Sequence, residues 1–281
     1  YELEVEYNWV EINGTESMQG INLNLADDTI YNNLPLPFDF KYFGVEYSDM
    51  NVCSNGWVAF EESYIDYFWN FSIPNPLGPS AMIAPFMDDL DDNNGTEPFN
   101  VYYYNDNNER FIVQWDNVSN GEDDQNCPNC IKETFQMILL NPEYYPTVTG
   151  DGEIIFQYKE IHDIDQNGNY STIGIESQDQ NDGIQYLFST QKFHGTTWNP
   201  DPDTGIVSGL AVKFTTNSPL TILSDLNECG SIAGDVNSDG ILNVVDIVQL
   251  VNIIFGLITP TEGQQCLIDV NGDGAVNVVD V

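Results

Sequence analysis

Two twelve-residue segments near the end of the chain carry the strongest chemistry. Asp235-Val-Asn-Ser-Asp-Gly-Ile-Leu-Asn-Val-Val-Asp246 is repeated, 34 residues on, as Asp269-Val-Asn-Gly-Asp-Gly-Ala-Val-Asn-Val-Val-Asp280. Hard divalent cations of calcium's size take six to eight oxygen ligands in a flexible shell, and a loop supplies them at alternate positions. Positions 1, 3 and 5 are Asp235, Asn237 and Asp239 in the first copy and Asp269, Asn271 and Asp273 in the second. Gly240 and Gly274 at position 6 permit the sharp turn. Ile241 and Ala275 then offer backbone carbonyls, Asn243 and Asn277 stand at position 9, and Asp246 and Asp280 close the loops. Two complete loops in tandem imply two calcium ions.

Such loops must be held by flanking elements. After the first, Ile247, Leu250, Val251 and Ile254 recur at helical spacing, predicting a helix with one apolar stripe that stops at Gly256. The second copy ends with Val281 directly after Asp280, so its helix is expected to lie beyond this chain. This repeat, over about residues 229–281, resembles the dockerin modules of bacterial cell-surface and cellulosome-like assemblies. The resemblance implies two calcium ions and a non-covalent protein partner, often a cohesin-type β-sandwich. Partner choice in dockerins usually rests on loop positions 10 and 11. Here they are Val244-Val245 and Val278-Val279, apolar in place of the Ser-Thr pair of many type I dockerins, which points to an apolar interface.

Ahead of that module the pattern is different. Short runs rich in Val, Ile, Tyr, Phe and Trp alternate with Gly, Pro, Asn and Asp, which is the signature of strands and turns. Strands are expected at Glu2–Tyr7, Phe38–Phe43, Met50–Phe60, Ala81–Phe86, Val101–Tyr104 and Phe111–Trp115. Five more are expected at Thr134–Leu140, Glu153–Tyr158, Ser171–Glu176, Ile184–Phe188 and Gly209–Thr215. With no sustained helical period before residue 217, the fold class is mainly β: an antiparallel β-sandwich followed by a small calcium-loop and helix module. The domains read as a sandwich over 1–216, a linker over 217–228 and the module over 229–281.

The runs Tyr42-Phe43-Gly44, Ser54-Asn55-Gly56-Trp57, Ile83-Ala84-Pro85-Phe86-Met87-Asp88-Asp89-Leu90-Asp91 and Thr134-Phe135-Gln136 resemble the β-rich domain of nidogen-type extracellular proteins and of large secreted bacterial proteins. The resemblance implies an extracellular matrix or adhesion role without a catalytic centre. Asn55-Gly56 reads as a tight turn with Trp57 beside it in the core. Asp88, Asp89, Asp91 and Asp92 crowd after a strand, and either a third calcium ion or full solvation would relieve them. Asp163-Ile-Asp165-Gln-Asn167-Gly168 imitates a calcium loop start, but position 12 falls on Gly174.

The charge balance excludes some partners. With 45 Asp and Glu against 6 Lys and Arg, the net charge is −39. No basic surface exists for a phosphate backbone, so nucleic acid is excluded as a partner. No apolar run of about 18 residues is present to span a membrane. Yet 41% of residues are hydrophobic, enough to bury a core. The chain begins at Tyr1 without a charged and apolar leader, so a mature secreted chain is expected.

Five cysteines fit that address. Cys127-Pro-Asn-Cys130 sits in an acidic loop, where a small loop-closing disulfide is a better reading than a redox or zinc pair. Cys229 and Cys266 flank the module and could pair, leaving Cys53 buried in a strand. Sequons at Asn13, Asn70, Asn94, Asn117 and Asn169 are candidate glycan acceptors.

No catalytic motif appears. The two histidines, His162 and His194, lack the sequence context of a triad, and no carboxylate pair is singled out. The expected function is therefore non-enzymatic: a calcium-stabilised extracellular subunit of a surface fibre or layer, assembled through the β domain and the module. Tyr1–Ile12 would serve as an exposed strand that completes a neighbour's sheet edge. The alternative is an adhesion or carbohydrate-binding module docked to a cohesin-like partner, with Trp57, Trp69, Trp115 and Trp198 as a sugar platform.

Overall fold

The structure, a computed structural model, describes residues 5–15, 18–67, 70–92, 99–120, 132–162, 171–188, 206–217, 234–237, 243–260, 267–268, 270 and 276–277. The chain divides into two compact units, Tyr1–Asn217 and Ser218–Val281. Apart from Asn217, the linker expected at 217–228 lies outside the described residues.

The first unit holds thirteen strands among its described residues. They are β1 (Ile21–Asn22), β2 (Ile30–Tyr42), β3 (Val45–Cys53), β4 (Trp57–Ala59), β5 (Met82–Met87), β6 (Leu90–Asp91) and β7 (Val101–Asp106). The rest are β8 (Arg110–Asn120), β9 (Lys132–Leu140), β10 (Ile154–Glu160), β11 (Thr172–Glu176), β12 (Gly183–Phe188) and β13 (Ala211–Phe214). One sheet runs β1-β7-β8-β9-β10-β13, with β6 also pairing β8; the other runs β12-β11-β5-β4-β3-β2. Every pairing is antiparallel, so the sandwich expected from the alternating runs is the observed architecture.

The inner faces meet in one aromatic core, as alternation along each strand requires. Trp115 stacks on Phe135 at 5.0 Å, and Phe86 meets Phe135 edge-on at 5.5 Å. Two buried hydroxyls bond to backbone, that of Tyr158 across the layers and that of Tyr42 within the second sheet. Tyr158 donates its hydroxyl to Pro85 O at 2.7 Å, and Tyr42 donates to Met82 O at 2.7 Å.

Three sequence expectations need correction. The run Met50–Phe60 is two strands, because Ser54-Asn55-Gly56 turns the chain between β3 and β4. Gly56 has φ +72, and a β-carbon there would fall 1.7 Å from Phe86 O, so only glycine allows the two backbones to meet. Strand β2 begins eight residues before the expected Phe38, at Ile30; Pro35 and Pro37 hid it, and both are tolerated because β2 is a sheet edge. Finally, no strand forms over residues 5–7 of the expected first strand, and residues 2–4 lie outside the described residues. Residues 8–12 instead cross the outer face of the first sheet, where Val10 and Ile12 are buried with Ile112, Ile138 and Leu140. A segment so engaged is not a free strand for a neighbour's edge.

In the second unit, α1 spans Val244–Ile254. Its N-cap is Asn243, whose side chain accepts Val245 N–H at 2.8 Å, while Asp246 returns the bond to Asn243 N–H at 2.9 Å. Leu250 and Ile253 are buried with Val236 and Ile268, with Ile254 packed alongside. Leu250 and Ile254 thus stand inward as expected, while Asp246 and Ile253 take the inward places expected of Ile247 and Val251. Asp246 must face the loop it closes, which rotates Ile247 outward to 44% exposure.

Candidate calcium-binding module

Of the twelve expected ligand positions, Asp235, Asn237, Asn243, Asp246 and Asn277 are described. Asp239, Ile241, Asp269, Asn271, Asp273, Ala275 and Asp280 lie outside the described residues. The described part of the first loop is held shut by its last carboxylate. Asp246 accepts Asn237 N–H with one oxygen at 3.2 Å and Asn243 N–H with the other at 2.9 Å. The Asn243 amide, and with it the Asn237 amide, holds this carboxyl below the usual Asp range. The starts of the two repeats are joined as well, since Gly234 donates to Leu267 O at 2.9 Å.

These residues fit a divalent cation. Asp235 and Asp246 are 2% and 1% exposed, and the chain from residue 214 onward contains no Lys, Arg or His. Buried carboxylates call for a balancing positive charge, and no basic side chain of this unit can supply one. Oxygen-only donors of this kind suit calcium.

In the sandwich the Asp88–Asp92 cluster comes apart. Asp88 turns inward, where it is 1% exposed and accepts Asn120 Nδ2 at 3.1 Å and Asp89 N–H at 2.9 Å. Asp91 and Asp92 face Asp27 and Asp28, which sequence reasoning missed because more than 60 residues separate the two pairs. Local desolvation, then the charges of Asp28, Asp91 and Asp92, push the Asp27 carboxyl up to about 6. Asn55 ties this corner together by donating to Asp28 at 2.8 Å and to Asp66 O at 3.0 Å, and by accepting Leu90 N–H at 3.1 Å. Among the described residues no group of three or more His, Cys, Asp or Glu side chains is placed to hold a metal ion. Asp163 and Asp165 lie outside the described residues.

The remaining candidates sort by burial. Trp57 and Trp115 are both fully buried, so neither can present a sugar platform; Trp69 and Trp198 lie outside the described residues. Cys53 is a free, buried thiol in β3, pushed up to about 12 by burial. Cys127, Cys130, Cys229 and Cys266 lie outside the described residues. Asn70 is 5% exposed and donates its amide to Met87 O at 2.6 Å, so it cannot carry a glycan in the folded chain. Asn13 binds Asp116 through the amide nitrogen that a glycan would occupy, at 3.2 Å. Asn117 stands exposed at an irregularity of β8, and Asn94 and Asn169 lie outside the described residues.

A cavity of about 150 Å³ opens between the sheets, lined by Tyr42, Ile154, Ile175, Ile184 and Phe214, with Asp151 as its only carboxylate. No described helix is long and apolar enough to cross a membrane.

Two family models match the chain. One, described as NIDO related, matches residues 2–216, and the Dockerin type I domain model matches residues 233–281. No curated protein and no solved structure matches it. Dockerin modules bind calcium and dock onto cohesin partners, and the two domains together point to an extracellular or cell-surface protein.

Proposed function

Since the chain belongs to the NIDO-related family and continues into a dockerin type I module, we propose that it is a non-catalytic structural subunit of a surface fibre or layer. Two calcium ions, one per loop, hold the module in its docking form. The module joins the subunit to a cohesin-like domain or to another copy.

The observation that carries this reading is the outward face of α1. Val244, Val245, Ile247 and Val248 are 67, 54, 44 and 56% exposed, while Leu250 and Ile253 serve the unit's own core. Four adjacent aliphatic side chains in water mark a protein contact surface. Val244 and Val245 are loop positions 10 and 11, so cation binding and docking meet in one segment.

A non-catalytic role is supported by the sandwich. The cavity lined by Tyr42 and Phe214 is mostly apolar, with Asp151 its only carboxylate, and the Tyr42 hydroxyl is already committed to Met82 O and Glu176 O. A sugar-binding role loses Trp57 and Trp115 to the core. The net charge of −39 keeps such subunits from bundling at random.

The test is sedimentation of the calcium-loaded chain, alone and with a panel of cohesin domains, with and without chelator. Calcium-dependent complexes or polymers are expected, lost in Val244→Asp/Val248→Asp although calcium still binds. Assembly indifferent to that double substitution would overturn the reading.

A further inference from the structure

Three glutamines form a continuous polar row on the outer face of the first sheet. Register places Gln114 of β8 opposite Gln136 of β9, and Gln136 opposite Gln157 of β10. They are 0, 0 and 2% exposed. Buried amides are costly unless their hydrogen bonds are met; here residues 8–11 and the row itself meet all but that of Gln136 Oε1, which has no hydrogen-bond partner. Gln157 accepts Asn8 N–H at 2.7 Å and donates to Asn8 O at 3.0 Å. Gln136 donates to Val10 O and, at 2.7 Å, to Gln114 Oε1. Gln114 in turn donates to Glu11 at 2.8 Å.

This row reads main chain. Side-chain amides hold the backbone of an extended segment, and Val10 and Ile12 pin it by entering the apolar cluster beside them. Lys159, one of only six basic residues, pairs with Glu11 and lies over the Trp9 ring at 5.5 Å. An acidic strap is repelled by the rest of a surface of net charge −39 but attracted here.

The strap is bound more by side chains than by sheet. Among the described residues its ladder is slight: Gly20 donates to Ile12 O at 2.7 Å, and Asn13 bridges Gln19. It joins the body through Asn13-Gly14-Thr15, a turn with Gly14 at φ +84. A segment that seats on side chains and leaves through a glycine turn can be exchanged between identical chains with every contact kept.

We propose that the glutamine row is a strap-exchange interface, on which residues 8–12 of a second copy of this chain replace the chain's own. This deepens the assembly reading above by supplying the contact of the β domain. It places that contact on a face of the first sheet; in the other sheet the edge strand β2 is blunted by Pro35 and Pro37. It uses no calcium, so its failure and that of the docking reading are separable.

The test is run on the full chain in chelator. A fluorescein-labelled peptide of residues 5–13 is added to the wild-type chain and to Gln136→Leu/Gln157→Leu, and uptake is followed by anisotropy. Wild-type uptake is expected, weakened at least about tenfold in the double variant. Deleting Gly14 and Thr15, so that the strap cannot fold back, is expected to convert monomer to dimer or higher species by light scattering. The proposal is overturned if the wild-type chain takes up no peptide, or if both chains take it up equally. It is overturned too by a hinge-shortened chain that keeps its near-UV circular dichroism and stays monomeric. Should that deletion prevent folding, the peptide result decides.

Discussion

Asp246 reaches back to Asn237, accepting its N–H at 3.2 Å, so the last side chain of the twelve-residue loop holds the third residue in place. Its other oxygen caps α1. Helix formation and loop closure thus share one carboxylate.

Asp246→Ala is expected to fail on both counts. The helix loses the reciprocal half of its capping box, while the Asn243 cap on Val245 N–H remains. Calcium affinity should fall at least tenfold, because the closing oxygen ligand is gone. Far-UV circular dichroism and calcium titration calorimetry measure the two effects separately. The Asp246 carboxyl sits below the usual Asp range, so its contribution is present above that range and is lost as pH falls through its lowered value.

Removing calcium should unfold one unit only. With chelator, Asp235 and Asp246 would be left buried without a cation, and the helical signal and the lower calorimetric transition should vanish. The β domain, whose core is aromatic, should melt unchanged. A chelator-induced loss of the near-UV signal of Trp57 and Trp115 would contradict this.

Glu176 makes the sandwich's stability depend on pH. It is fully buried in β11, one oxygen accepts the N–H of Asn75, and the other has no hydrogen-bond partner. Burial raises this carboxyl from 4.5 to about 7, against the lowering effect of the Asn75 amide. The folded state therefore holds a proton that the unfolded chain releases, and stability falls as pH rises from about 4.5 to about 7. Asp27 adds a loss of the same sign between about 3.8 and about 6. Melting temperatures from pH 5 to pH 8 should decline in the wild-type chain and decline less in Glu176→Gln.

Gly56→Ala should destabilise the sandwich by more than about 2 kcal/mol, since both the left-handed backbone and the contact with Phe86 O forbid a β-carbon. The melting temperature of the β domain would drop by roughly 5–10 °C. An unchanged value would mean that β4 and β5 can separate at no cost.

Much of this molecule is legible without coordinates. Alternating runs revealed the sandwich because a strand buried on one face must alternate. The tandem loops revealed the cation chemistry because six or more oxygens must come from fixed positions of one short segment. Local rules failed where the partner is distant in sequence. Asp27 and Asp28 join Asp91 and Asp92 only through the fold. On α1, Leu250 and Ile254 pack inward as their spacing predicts, but Ile247 is turned outward because Asp246 is drawn to the loop. Trp57 and Trp115 could be surface or core by type alone, and packing put both inside.

The sequence by itself determined the β class, the calcium repeat and the extracellular pairing of domains, since each is written in contiguous residues. Only the tertiary structure decided what residues 8–12 do. Their alternation reads as an edge strand, but Gln114, Gln136 and Gln157, contributed by three separate strands, align into a row that binds their backbone. No local pattern can announce such a row, because it exists only when the register of three strands brings the amides side by side.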